Sequence, residues 1–175
     1  FHYDMKKLIS LLAILLLLPG VLAESEKAGI TKSNPFYFLD IMSEKLQLTF
    51  TFDEFVRVQK QIRYNEERLS EIEKLSLKNK DKAIEKTRMR YENDQNKIEI
   101  EIHKITDRDK KKLAVMLAKA KAQQHTLILE NLKNQVPSQA LSGIENAINN
   151  SMRYRDAYGR TEKQLNETMR IGIPD

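Results

Sequence analysis

The chain has 175 residues, one domain's worth, with 31% charged residues, 41% hydrophobic residues, 5 Gly and 4 Pro. So few turn-formers exclude a sandwich or barrel of many short strands, and the apolar fraction excludes wholesale disorder. The absence of Cys excludes disulfides and cysteine nucleophiles, and the net charge of +5 is mild and interleaved, with Lys110-Lys111-Lys112 the longest block of one sign.

Phe1 to Asp4 precede Met5 and carry no argument. Met5-Lys6-Lys7, the apolar run Leu8 to Leu18, Pro19-Gly20-Val21-Leu22-Ala23 and polar Glu24-Ser25-Glu26-Lys27 follow in the order of a secretory signal peptide. Val21 and Ala23 fit the small-residue cleavage pattern, which places processing after Ala23. An 11-residue run is short of the ~20 residues that span a bilayer, so no transmembrane span is expected after processing. The expected organisation is residues 1–23 as upstream residues plus signal, 24–32 as a flexible lead, 33–152 as a helical bundle, and 153–175 as an extension and loose tail. A mixed-charge exported protein is a poor candidate for nucleic-acid binding.

Ser33-Asn34-Pro35 reads as a helix entry, and Phe36-Tyr37-Phe38-Leu39 opens a short apolar helix through Ile41, Met42, Leu46 and Leu48. Thr49-Phe50-Thr51-Phe52 reads as an extended connector. Five of the six Phe lie between Phe36 and Phe55, which predicts an aromatic hook buried against the long helices. Asp53 is a good N-cap for the next helix. From there the apolar period is close to 3.5. One stripe runs Phe55, Val58, Ile62, Leu69, Ile72, with Asn65 on it. After Asn79-Lys80-Asp81 a second runs Ile84, Arg88, Tyr91, Gln95, Ile98, Ile102, Ile105. Thr106-Asp107-Arg108-Asp109 is the best break before a third stripe, with Asp107 or Asp109 its cap; the stripe runs Leu113, Met116, Ala120, Leu127, widened by Leu117, Ile128 and Leu132. Val136-Pro137-Ser138 starts a last helix burying Ala140, Leu141, Ile144, Ala147 and Ile148, and beyond Ser151 the pattern weakens, interrupted by Gly159. The expected fold is all-α, a four- to five-helix antiparallel bundle with the N-terminal hook.

Three stretches resemble a known family. They are Gly29-Ile30-Thr31-Lys32-Ser33-Asn34-Pro35-Phe36-Tyr37-Phe38-Leu39, running on to Phe50-Thr51-Phe52-Asp53; Asn65-Glu66-Glu67-Arg68-Leu69-Ser70-Glu71; and His125-Thr126-Leu127-Ile128-Leu129-Glu130, with Val136-Pro137-Ser138-Gln139-Ala140 and Ile144 to Ser151. Together they resemble an uncharacterised secreted all-helical domain of archaeal and bacterial envelope proteins, a domain of unknown function, over about residues 29–151. The pattern departs at Thr31-Lys32, where the family has a proline. The resemblance implies export and a helical fold, with no catalytic residue to carry over.

Glu99, His103 and Asp107 fall at i, i+4 and i+8, so an unbroken helix would put a carboxylate–imidazole–carboxylate row on one face, the weak metal candidate of the chain. Asp107 is equally a helix cap. His125, two residues before Leu127, suits a hydrogen bond between helices better than catalysis. Arg68 with Glu67, Glu71 and Tyr64 reads as a surface ion-pair network, and Asn65, Arg88 and Gln95 are polar residues on apolar stripes, able to fix helix register or to mark a wet end of the bundle. Asn149 and Asn166 head acceptor sequons for N-glycosylation.

No nucleophile with an adjacent base, no catalytic carboxylate pair and no phosphate loop is legible, so no enzymatic function and no cofactor are expected. The expected function is that of a secreted or envelope-associated module that binds another envelope protein or itself. The alternative is a metal- or ligand-binding sensor or a chaperone-like helical protein. Beside its main stripe the third long helix carries Ala114, Val115, Ala118, Ala122 and Leu129, a second face to cover. That leaves a monomer or a weak homodimer as the expected state.

Overall fold

A computed structural model describes residues 37–78 and 80–171, and these form five helices: α1 (Tyr37–Thr49), α2 (Glu54–Ser76), α3 (Asp81–Lys104), α4 (Arg108–Lys133) and α5 (Ser138–Ile171). The signal-peptide expectation, including cleavage after Ala23, lies outside the described residues. Local chemistry sets the boundaries. Asp53 sits in extended backbone and its Oδ1 accepts the Val56 amide at 3.0 Å, satisfying one orphan donor of α2. Asp107 does the same for α4, accepting the Lys110 amide at 2.9 Å. Ile105, extended at ψ 116°, ends α3, and Pro137 stands just ahead of α5.

Helices α2 to α5 make the bundle. α2 pairs antiparallel with α3, as Arg57–Glu101 near one end and Arg68–Asp94 further along show. α4 pairs antiparallel with α5, through Lys119–Glu162 and Lys133–Glu145. The two hairpins then pack side by side, α2 along α4 and α3 along α5, leaving α3 and α4 across a diagonal. Within these side contacts the helices run parallel, since Asp53 meets Lys110 and Glu66 meets Lys121. The expected all-α bundle is the observed one.

Two apolar clusters fill it. One holds Val58, Ile62, Ile98, Ile102, Ile105, Ala114, Val115, Ala118, Ala122, Tyr154 and Tyr158. The other holds Leu69, Ile72, Ile84, Tyr91, Leu129, Leu132, Ala140, Ile144, Ala147 and Ile148. α5 approaches α3 closely at Gly143, where a Cβ would stand 3.3 Å from Ile84 Cγ2. α5 runs unbroken through Gly159, continuing as the helix expected beyond Ser151, and its Tyr154 and Tyr158 are buried in the core.

Two expectations about faces are corrected. On α4, Leu113, Met116 and Leu127 are 55%, 45% and 57% exposed, while Ala114, Val115, Ala118, Ala122 and Leu129 are buried. Leu113, Met116, Ala120 and Leu127 of the expected core stripe form the outer face, its widening residues Leu132, Leu117 and Ile128 do pack inward, and the expected spare face is core. Volume explains this: Tyr154 and Tyr158 share the cluster opposite these alanines and fill the space that larger α4 side chains would need. At the hook, Phe36 and the Phe38 side chain lie outside the described residues and Phe55 packs against the first cluster as expected, but Phe50 and Phe52 are 71% and 88% exposed, whereas Thr51 is buried. Successive residues of an extended segment point to opposite sides, and here the threonine side is the one turned in.

Candidate functional site

Between the two apolar clusters lies a layer of buried polar side chains drawn from all four long helices. α2 supplies Asn65, α3 Tyr91 and Gln95, α4 His125 and Thr126, and α5 Ser151, all buried. Asn65 Nδ2 donates to the Tyr91 carbonyl at 2.8 Å, and Gln95 Nε2 donates to Asn65 Oδ1 at 2.8 Å and to the Tyr91 hydroxyl oxygen at 3.2 Å. The Tyr91 hydroxyl lies 3.1 Å from His125 Nδ1. One of this pair donates and the other accepts, as the imidazole tautomer sets. Thr126 and Ser151 complete the layer: Ser151 Oγ donates to the Ala122 carbonyl at 2.8 Å, and Thr126 and Ser151 hydroxyls stand 3.1 Å apart.

Burial dominates the electrostatics here. It pushes the His125 pKa down to about 4, with the Glu66 charge opposing it, and pushes the Tyr91 phenol up to about 12. The layer is therefore neutral at ordinary pH, as low-dielectric surroundings favour. His125 Nε2 has no hydrogen-bond partner among the described residues. His125 also lines a small cleft of about 130 Å3 between α2 and α4, shared with Glu66, Leu69, Ser70, Glu73, Gln124 and Ile128. A half-open cleft with one buried, unpartnered imidazole nitrogen and two carboxylates at its rim can hold a small polar molecule, water included.

A second polar cluster surrounds Arg68, which is only 3% exposed. Its guanidinium pairs with Glu44 of α1, and lies 3.8 Å from Glu71 and 3.9 Å from Asp94. Burial alone would lower the Arg68 pKa, but the Glu44 charge and hydrogen bond, with Asp94 and Glu71 behind it, raise it above the ordinary value. The expected surface network is thus a buried one. Glu71 belongs to it, Glu67 pairs instead with Arg63 at 3.7 Å, and Glu44 and Asp94 are added. Tyr64 hydrogen-bonds Gln47 of α1 at 3.1 Å.

The other candidates fall as follows. α3 ends at Lys104, so Glu99 and His103 lie on a helix that Asp107 does not share, and Asp107 is the cap of α4. Among the described residues no group of three or more His, Asp or Glu is placed to hold a metal ion. Arg88 is half-buried and pairs with Glu85 at 2.6 Å and with Glu92, leaving the layer to Asn65 and Gln95. His125 forms the interhelical bond its position suggested. Asn149 is exposed and Asn166 half-buried, both within α5. Sequence reasoning missed the Tyr91 hydroxyl, Thr126 and Ser151. Placing the Ala114–Ala118–Ala122 face inward would have brought Thr126, four residues after Ala122, into view.

Fold and interior together define an all-α bundle domain whose two hairpins are joined by a neutral polar layer. A family model for a domain of unknown function (DUF5667) matches residues 29–139, and the chain belongs to that family. The match ends within the first turn of α5, short of the Ile144–Ser151 stretch that carried part of the resemblance. No curated protein and no solved structure matches the chain. No described helix is long and apolar enough to cross a membrane.

Proposed function

We propose that the protein is a secreted or envelope-associated, non-enzymatic module that binds another envelope protein, or a second copy of itself, along the outer face of α4. The observation that carries this reading is the exposed seam Leu113, Met116, Leu127, with exposed Ala120 between them. These residues repeat at three, four and seven positions, the spacing of one apolar helix laid along another. Most exposed apolar residues of a monomer are scattered, and a seam of this period on one helix is not. Support for export comes from the order of residues Met5 to Lys27. Support for a non-catalytic role comes from the polar interior, whose hydrogen bonds run from helix to helix.

The chain lacks cysteine, so single-cysteine variants Leu113→Cys and Leu127→Cys give site-specific cross-linking in cell envelopes, with light scattering on the purified chain as the second readout. Cross-links at both positions, lost in a variant with Met116→Lys, are expected. A chain that stays monomeric at high concentration and yields no cross-linked species would overturn the reading. The cleft at His125 favours a second reading, a small-ligand sensor. Divalent-metal titration tests its metal version: a shift in melting temperature supports it, and no heat and no shift retire it.

A further inference from the structure

The outer face of α4 reads nearly alike from either end. It runs Leu113, Met116, Ala120, Gln124, Leu127, all exposed, with the alanine midway between the two leucines. Exposed apolar side chains also stand on α1, where Met42 and Leu46 are 41% and 42% exposed, but the α4 face is the one that matches itself end for end. Two charges frame it. From Lys112 to Glu130 is 18 residues, five whole turns at ~3.6 residues per turn, so both stand on one flank of α4. That flank is the α5 side, which Lys119 and Lys133 share. Among the described residues neither Lys112 nor Glu130 has an ion-pair partner. The lysines near the middle of the face do: Lys119 meets Glu162 at 2.8 Å and Lys121 meets Glu66 at 2.6 Å.

We propose that the occupant of this face is a second copy of the chain, its α4 laid antiparallel about a two-fold axis beside Ala120 and Lys121. This rests on the reading of the α4 face as the binding surface and names its partner and orientation. In a two-fold antiparallel pair each flank meets the same flank of the other helix with the direction reversed. Lys112 then comes level with Glu130 of the second copy, and Glu130 with its Lys112, so one unpaired couple yields two ion pairs. Met116 comes level with the second copy's Leu127, and Ala120 lies against Ala120, where the small side chain lets the helices approach. Asp109, the exposed acid at the start of the face, falls opposite neutral Asn134. A parallel pair would instead set Lys112 level with Lys112 and Glu130 level with Glu130. Rim charges of this kind contribute little affinity and fix orientation, while Leu113, Met116 and Leu127 supply the apolar burial. A partner of other sequence does not require the face to match itself; a second copy does.

Sedimentation equilibrium over a dilution series tests this on the purified chain, on Lys112→Glu, on Glu130→Lys and on the double exchange. Each single exchange opposes like charges twice and should weaken dimerisation about tenfold. The double exchange should restore it, and an equimolar mixture of the two single variants should form a mixed dimer tighter than either alone. Both positions are on the surface, so helical content and melting midpoint should hold throughout. Ala120→Cys, beside the axis, should close a disulfide with its copy on oxidation. Leu113→Cys should not, because its two copies stand about 20 Å apart along the helices at ~1.5 Å per residue. A disulfide at Leu113→Cys, or a mixed dimer of Lys112→Glu with wild type tighter than either homodimer, means a parallel pair and overturns the orientation. Dimers indifferent to both exchanges place the contact elsewhere and overturn it as well. A chain that is monomeric in every form, yet cross-links through the α4 face to a different protein in envelopes, overturns the second copy and leaves the α4 reading standing. No association and no cross-link in either setting removes both.

Discussion

The bundle buries two polar clusters that differ in kind. The layer of Asn65, Tyr91, Gln95, His125, Thr126 and Ser151 is neutral and drawn from all four long helices, so it ties the two hairpins to one register. The Arg68 cluster is ionic, confined to α2 and α3, and completed only by Glu44 of α1. The neutral layer is satisfied within the bundle at every side chain but His125, whose Nε2 faces the cleft. A buried cation needs more counter-charge than its own hairpin places close to it, and recruiting α1 by its acidic face obliges that helix to present its apolar face to the outside. One cluster fixes the core and the other shapes the surface.

The sharpest way to break this contrast is Arg68→Met. Removing the cation leaves Glu44, Glu71 and Asp94 facing one another in a buried site. The expected loss is about 3–5 kcal/mol in chemical denaturation, with α1 released and newly sensitive to protease. A loss under about 1 kcal/mol would mean the cluster is solvated.

Acid separates the clusters next. The folded His125 pKa of about 4 lies below the 6.5 of the free side chain, so between these values the unfolded chain binds a proton that the fold refuses. This contribution is fully present above pH 6.5, declines as pH falls and levels off below about 4. Its full size is roughly 3 kcal/mol. Denaturation midpoints from pH 7 to 4 should show that slope in the wild type and a flatter one in His125→Gln, and parallel slopes would count against the buried imidazole.

Smaller effects refine the layer and its frame. Tyr91→Phe keeps the ring but strands Gln95 and His125, for an expected loss of about 1–3 kcal/mol. It should add less than its full single-variant effect to His125→Gln, because the two share one bond. Asp107→Ala removes the α4 cap and should lower stability by about 1 kcal/mol in a thermal melt, with no change in the His125 titration.

Much of this fold was legible in the chain. Periodicity found the long helices, Asp53 marked one start and Asp107 or Asp109 another, of which Asp107 is the cap, and Asn65, Gln95 and His125 stood out as polar residues among apolar ones. What sequence could not supply was which face turns inward. Hydropathy ranks Leu113, Met116 and Leu127 above Ala114, Ala118 and Ala122, yet small residues win the core because the tyrosines of α5 occupy the space. α1 repeats the lesson with charge: the need of Arg68 for Glu44, which depends on Asp94 and Glu71 being nearby, outweighs the burial of Met42 and Leu46. Both outcomes follow from partners distant in the chain.

The most direct test of the neutral layer is the titration of the His125 ring, followed by nitrogen-15 NMR and assigned by its loss in His125→Gln. Burial predicts a ring that stays neutral down to a pKa of about 4. A ring that titrates near the free-histidine value of 6.5 would contradict the layer.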